Sequence, residues 1–277
     1  MKISIKVTYT FVLLFAIQLS IAQTEYGTLS FNKAVNISGK QRMLTQRMGK
    51  IYLYLLNNPT DYMAKRDMKI AQIIFEKQNN ILEENTSSNV TKNNIKEVKN
   101  TWVKYDKFLK SYPNKGDALK IINTNSTILS FTNNVVNAII LEANIKNNNV
   151  GIDIANEDNE LKQIINKSGR QRMLSQRLVL YYFANGNGLK SLKSQNMLRD
   201  VYEELDSTLS DLLISSFNND RIDNALGDVM AKWEGIQKSN ERLFKQGYED
   251  KEIYDLSNDL TKLFNRVTNL YEKLKVE

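Results

Sequence analysis

Arg42, Gln46 and Arg47 stand in one short block, Asn36-Ile37-Ser38-Gly39-Lys40-Gln41-Arg42-Met43-Leu44-Thr45-Gln46-Arg47-Met48. The block recurs 130 residues later as Asn166-Lys167-Ser168-Gly169-Arg170-Gln171-Arg172-Met173-Leu174-Ser175-Gln176-Arg177-Leu178. Nine of the thirteen positions are identical, and Lys40/Arg170, Thr45/Ser175 and Met48/Leu178 are close exchanges. A guanidinium is a planar, permanently positive fork of N–H donors that matches the oxygens of an oxyanion. The chemistry open to this block is therefore anion recognition. Bond-making chemistry has little to draw on, because the chain has no histidine and no cysteine. That removes Ser-His-Asp and Cys-His centres, His-ligated zinc and haem, and Glu-x-x-His di-iron sites. No enzyme, cofactor or metal site is expected.

On a helix, Ser38, Arg42 and Gln46 lie four apart and line one face, as do Ser168, Arg172 and Gln176. Gly39 and Gly169 sit beside those lines. Arg47 and Arg177 follow the first arginine by five residues, about 140° further round the axis. Met43, Leu44 and Ile51 then face the core. A glycine inside a helix costs about 1 kcal/mol against alanine. Its presence at equivalent places in both copies points to close approach of another backbone. If the two motif helices cross there, Arg42 meets Arg172, and the two cations repel unless an anion lies between them. Gln46 and Gln176 would complete the donor set. The competing reading is a helix-crossing device whose arginines pair with carboxylates of their own bundle. The sequence leaves open whether the motif helices face each other or a second chain, as in a homodimer.

The elements that must position these groups read as helices. Apolar residues at three-four-seven spacing (Ile37, Leu44, Met48, Ile51, Leu55) carry the first from Ser30 to about Leu56. Asn57-Asn58-Pro59-Thr60 ends it. The second runs from Thr60 to about Glu84, with Met63, Ile70, Ile74 and Ile81 expected inward. The third covers about 91–110 with Trp102, and the fourth about 117–145. After Asn147-Asn148-Asn149-Val150-Gly151 the fifth, about 155–184, carries the second motif. The sixth, seventh and eighth follow at about 189–213, 221–245 and 250–275. Short connections and only two prolines fit up-and-down bundles. The expected fold is all-α: two tandem antiparallel four-helix bundles, residues 23–147 and 152–277.

Residues 1–22 read as an export signal; the competing reading is an uncleaved membrane anchor, although the apolar core is shorter than the ~20 residues a span needs. Lys2 and Lys6 form the basic start, Phe11 to Ile17 the apolar core, and Ser20-Ile21-Ala22 the cleavage site. The net charge of +7 falls to +5 on cleavage, since two lysines leave and no acid does. That is a mild surplus without a basic tail, and nucleic acid is not an expected partner. Without cysteine, an exported chain must be held by its core alone.

The pattern Asn-x-x-Gly-x-x-Arg-Met-x-x-x-Arg in both blocks resembles the signature of the periplasmic sensor domain shared by the NarX-like nitrate/nitrite sensor kinases and the type IV pilus chemoreceptor PilJ. Ser38-Gly39-Lys40-Gln41-Arg42-Met43-Leu44-Thr45-Gln46-Arg47-Met48 is especially similar to PilJ. The resemblance implies four-helix bundles with the signature on the first helix. It also implies a nitrate- or nitrite-like anion bound between symmetry-related copies through Arg42 and Arg172. The family's second arginine falls on Arg47 and Arg177. A basic residue five before the first arginine falls on Lys167, with Ile37 in its place in the first copy. Family members continue into membrane spans and signalling domains, whereas none is expected after the eighth helix in this sequence. The expectation is therefore an exported, periplasmic or secreted binding module that docks on a membrane receptor or another envelope protein.

Overall fold

A computed structural model describes residues 25–146, 152–189 and 192–275. The export-signal segment and the 147–151 connector lie outside the described residues. The chain enters through a two-stranded antiparallel hairpin, β1 (Glu25–Tyr26) and β2 (Leu29–Ser30). Sequence reading places only a polar lead here, because two-residue strands are too short to show alternation. Gly27 turns the hairpin at φ 62° with Asn85 pressed against it, so no side chain fits. Tyr26 is buried and donates to the Leu82 carbonyl at 2.7 Å.

The remaining regular elements among the described residues are helices: α1 (Phe31–Asn57), α2 (Tyr62–Asn85), α3 (Asn89–Leu109), α4 (Lys115–Lys146), α5 (Ile152–Gly186), α6 (Leu192–Leu213), α7 (Asp220–Lys238), α8 (Asn240–Phe244) and α9 (Asp250–Glu272). The chain is an all-α, multi-helix bundle. Ser30 caps α1 by accepting from the Lys33 amide. Asp61, not Thr60, caps α2, and Ser88 starts α3 a little earlier than the sequence suggests. The expected seventh helix breaks at Ser239. Its hydroxyl reaches back to the Gly235 carbonyl and pairs with the Tyr248 hydroxyl, which competes with continued helix bonding.

One inward face differs from expectation. In α2 the buried residues are Ala64, Met68, Ala71, Gln72, Phe75, Asn79 and Leu82, while Met63, Ile70 and Ile74 are exposed. The polar members of the buried face are satisfied from neighbouring helices. Gln72 donates to Asp106 at 2.7 Å and Asn79 to Gln41 at 3.0 Å. A hydrogen-bonded amide can occupy the core, and a hydrophobicity pattern alone cannot anticipate it.

The two motif helices, α1 and α5, pack against each other as the most extensive pair in the molecule. Helices α2 and α4 flank α1, while α6 and α9 flank α5; α3 rests on α4, and α7 on α9. A single cluster of buried apolar side chains runs through both halves. Among the described residues, no helix is long and apolar enough to cross a membrane.

Candidate functional site

Helices α1 and α5 run side by side in the same direction, with equivalent positions opposite. A side chain on Gly49 would strike Leu180, and Asn187 donates to the Leu53 carbonyl at 3.3 Å. Nearer the start of the seam stand Gly39 and Gly169. A Cβ on Gly39 would lie 3.3 Å from Arg42 Nη2 and 3.5 Å from Arg172 Nη2, so both guanidinium ends reach one point. A Cβ on Gly169 would lie 3.0 Å from Arg172 Nη2 and 3.8 Å from Arg42 Nη2. The structure thus brings Gly39, Gly169, Arg42 and Arg172 together, within one molecule.

Each arginine leans toward the N-terminus of its own helix, as helical side chains do, and so reaches the first residue of the opposite block. Arg42 Nη2 donates to the Asn166 side-chain oxygen at 2.7 Å and to its carbonyl at 3.2 Å; Arg172 Nη2 donates to the Asn36 carbonyl at 3.3 Å. A second asparagine closes each fork. Arg42 Nη1 donates to Asn133 of α4 at 2.8 Å, and Arg172 Nη1 to Asn265 of α9 at 2.9 Å. The arrangement is reciprocal, and every acceptor is neutral. Arg42 is 1 % exposed and Arg172 0 %, and the Nε of each is buried without a partner.

Burial disfavours the charged form of both groups. Desolvation pushes Arg42 down to about 9, with the cations of Arg170 and Arg172 adding to the effect. Arg172 falls to about 10 from burial, partly offset by Glu272. Both remain positive at neutral pH, and no ion pair among the described residues includes either.

The other expected site residues disperse. Gln176 turns away to α9, donating to Thr261 at 2.7 Å and the Ser257 carbonyl at 3.1 Å. Gln46 lies one layer deeper, where its oxygen accepts from Arg177 at 3.2 Å. Neither glutamine joins the donor set of the arginine pair. Arg47 is drawn off by Asp67 of α2 at 2.9 Å. Its counterpart Arg177 is buried instead, bonded to Gln46, Asn125 and the Tyr181 hydroxyl, with no carboxylate. Lys167 points to the surface and pairs with Asp211 at 3.0 Å, far from a role beside Arg172. Sequence reasoning passed over the four asparagines that hold the forks. Asn36 and Asn166 open the repeated block and were legible there. Asn133 and Asn265 are lost in an asparagine-rich sequence. It also passed over Lys50, fully buried against Ser257 (2.8 Å), Asn258 (2.9 Å) and the Tyr254 ring (4.0 Å).

Two openings flank the seam, built from equivalent positions. A cleft of about 220 Å³ between α4 and α5 is lined by Arg42, Asn133, Arg170, Met173 and Arg177, with Ser126, Leu129 and Ser130. A groove of about 660 Å³ between α1 and α9 is lined by Lys40, Met43, Arg47 and Asn265, with Asn258, Thr261 and Lys262. The groove also carries Asp67, Asp255 and Asp259; no carboxylate lines the cleft.

Residues 154–257, the greater part of the second half, match the family model of the type IV pili methyl-accepting chemotaxis transducer N-terminal domain, PilJ. The match includes the second motif block and supports the PilJ-like resemblance of that half. No curated protein and no solved structure matches the chain.

Proposed function

We propose that this chain is an exported, non-enzymatic sensor-type module, two PilJ-like units in tandem, that takes up a small oxyanion at the seam of its motif helices. One observation carries the reading. Two fully buried guanidinium groups face each other, held only by neutral oxygens. A buried cation without a counter-charge is costly, and buried charges are as a rule paired. An anion, nitrate- or nitrite-like in size, supplies the missing charge through donors already aimed across the seam. The transducer named by the matched model fits the same role: occupancy of the seam would be read by a membrane receptor or another envelope protein.

The test is thermal unfolding of the purified chain with nitrate, nitrite, sulfate and phosphate at matched ionic strength. An anion at 100 times its dissociation constant adds about 2.7 kcal/mol, a rise of about 5–10 °C for a protein of this size. The rise should vanish in Arg42→Gln. No anion-specific rise in the wild-type chain refutes the reading. That outcome would favour a second one, a protein-interaction adaptor with no small ligand, consistent with asparagine oxygens already occupying the Nη donors.

A further inference from the structure

The two openings beside the seam come from equivalent positions, yet their electrostatics have parted. In the groove, Arg47 is neutralised by Asp67, and Asp255 and Asp259 line the wall. In the cleft, the equivalent Arg177 is buried and bonded only to neutral oxygens. Arg170 is held by Glu204 and brings no net charge. Arg42 stands at the cleft wall with its buried Nε unpartnered. The cleft therefore holds two uncompensated guanidinium groups, while exposed Ser126 and Ser130 stand among its lining residues.

We infer a second anion seat, beside the seam site proposed above and sharing Arg42 with it: the cleft between α4 and α5, whose ligand is a free inorganic dianion of the sulfate or phosphate class. Arg42 and Arg177 supply the two positive charges, and the hydroxyls of Ser126 and Ser130 can add donors. About 220 Å³ accommodates such an ion with a few waters, each taking about 30 Å³. Two positive charges against a single negative one would leave the cleft a net cation, which favours a dianion over nitrate.

Isothermal titration calorimetry at fixed ionic strength tests this, with sodium sulfate titrated into the full chain and into three variants. Ser130→Asp places a carboxylate among the lining residues from an exposed helical position, where it supplies the counter-charge in cis and repels the ion. Lys262→Asp places a carboxylate at the equivalent position beside the groove, where it also removes a partner of Asp259. Arg172→Gln removes the far arginine of the seam. The expected result is saturable binding at one site, tighter for sulfate than for nitrate. It should weaken at least ten-fold in Ser130→Asp and by less than two-fold in Lys262→Asp, while Arg172→Gln separates the seam from the cleft. Melting of Ser130→Asp checks that the variant is folded. Sulfate binding indifferent to Ser130→Asp but abolished by Arg172→Gln would overturn the cleft and leave the seam reading standing. Nitrate binding tighter than sulfate would overturn the dianion assignment. No saturable binding of any oxyanion would remove both.

Discussion

Replacing Asn133 by aspartate puts a carboxylate where a neutral amide now stands, 2.8 Å from Arg42 Nη1, without a change of shape. Among the described residues the Asn133 amide nitrogen donates no hydrogen bond, so its loss leaves nothing unpaired. A pair of unit charges about 4 Å apart gains about 4 kcal/mol at an effective dielectric of 20. Desolvation of the new, half-buried carboxylate takes back part of this. Exchanging a neutral bond for a charge-assisted one leaves about 1–2 kcal/mol, a rise in Tm of about 2–8 °C. The sign with pH follows from linkage. The new carboxylate is held below its ordinary value, so the gain is complete at neutral pH and fades as the pH falls below about 4. Asn265→Asp should gain less, because Arg172 already feels Glu272 and the adjoining groove already carries acids. Differential scanning calorimetry at pH 7 and pH 3 measures both. A loss of stability in Asn133→Asp at pH 7, or a gain undiminished at pH 3, would refute the claim that Arg42 lacks a counter-charge.

Gly39→Ala should be neutral or stabilising by up to about 1 kcal/mol, since helix propensity is gained and its Cβ meets only flexible arginine ends at 3.3 and 3.5 Å. Gly49→Ala should destabilise by about 1–3 kcal/mol, because its Cβ would sit 2.6 Å from Leu180 and 2.9 Å from the Tyr105 hydroxyl; urea unfolding of the pair checks the contrast, and equal effects would contradict the packing of α1 on α5. Lys50, whose amine burial holds well below its ordinary value of 10.5, sheds its proton earlier in the folded chain than in the unfolded one. Its contribution should therefore make stability rise with pH over the window ending near 10.5, a slope that Lys50→Met removes in denaturant titrations across that range.

The seam was legible in the sequence because a duplicated block constrains itself. Ser38, Gly39 and Arg42, repeated as Ser168, Gly169 and Arg172, pointed to a crossing that sets arginine beside arginine; the structure places both arginine ends, rather than the opposite backbone, against the two glycines. What lies outside the block was not legible, because it depends on partners from other helices. Arg47 and Arg177 are the same residue at the same place in the repeat, and nothing local separates them. Asp67 on α2 takes the first, while Asn125 on α4 and Tyr181 on α5 receive the second. Lys167 followed the family pattern but found Asp211. Similarly, Gln72 and Asn79 enter the core because Asp106 and Gln41 await them, which turns Ile70 and Ile74 outward.

The same asymmetry bears on how such a seam could respond to a solute. Were both openings lined by uncompensated cations, α1 and α5 would be separated by mutual repulsion along both flanks, and packing alone would have to hold them. Were both neutralised by acids, the seam would be indifferent to any anion. The observed case lies between. One flank is satisfied internally by Asp67 and the acids of α9, so the helices are anchored there. The other keeps Arg42 and Arg177 on neutral oxygens alone. Charge added at that flank relieves repulsion on one side of a closely packed helix pair. A helix pair relieved on one side alone has a reason to tilt or slide rather than simply tighten. A change of that kind can be transmitted along α1 and α5, because both continue for about four turns beyond the arginines.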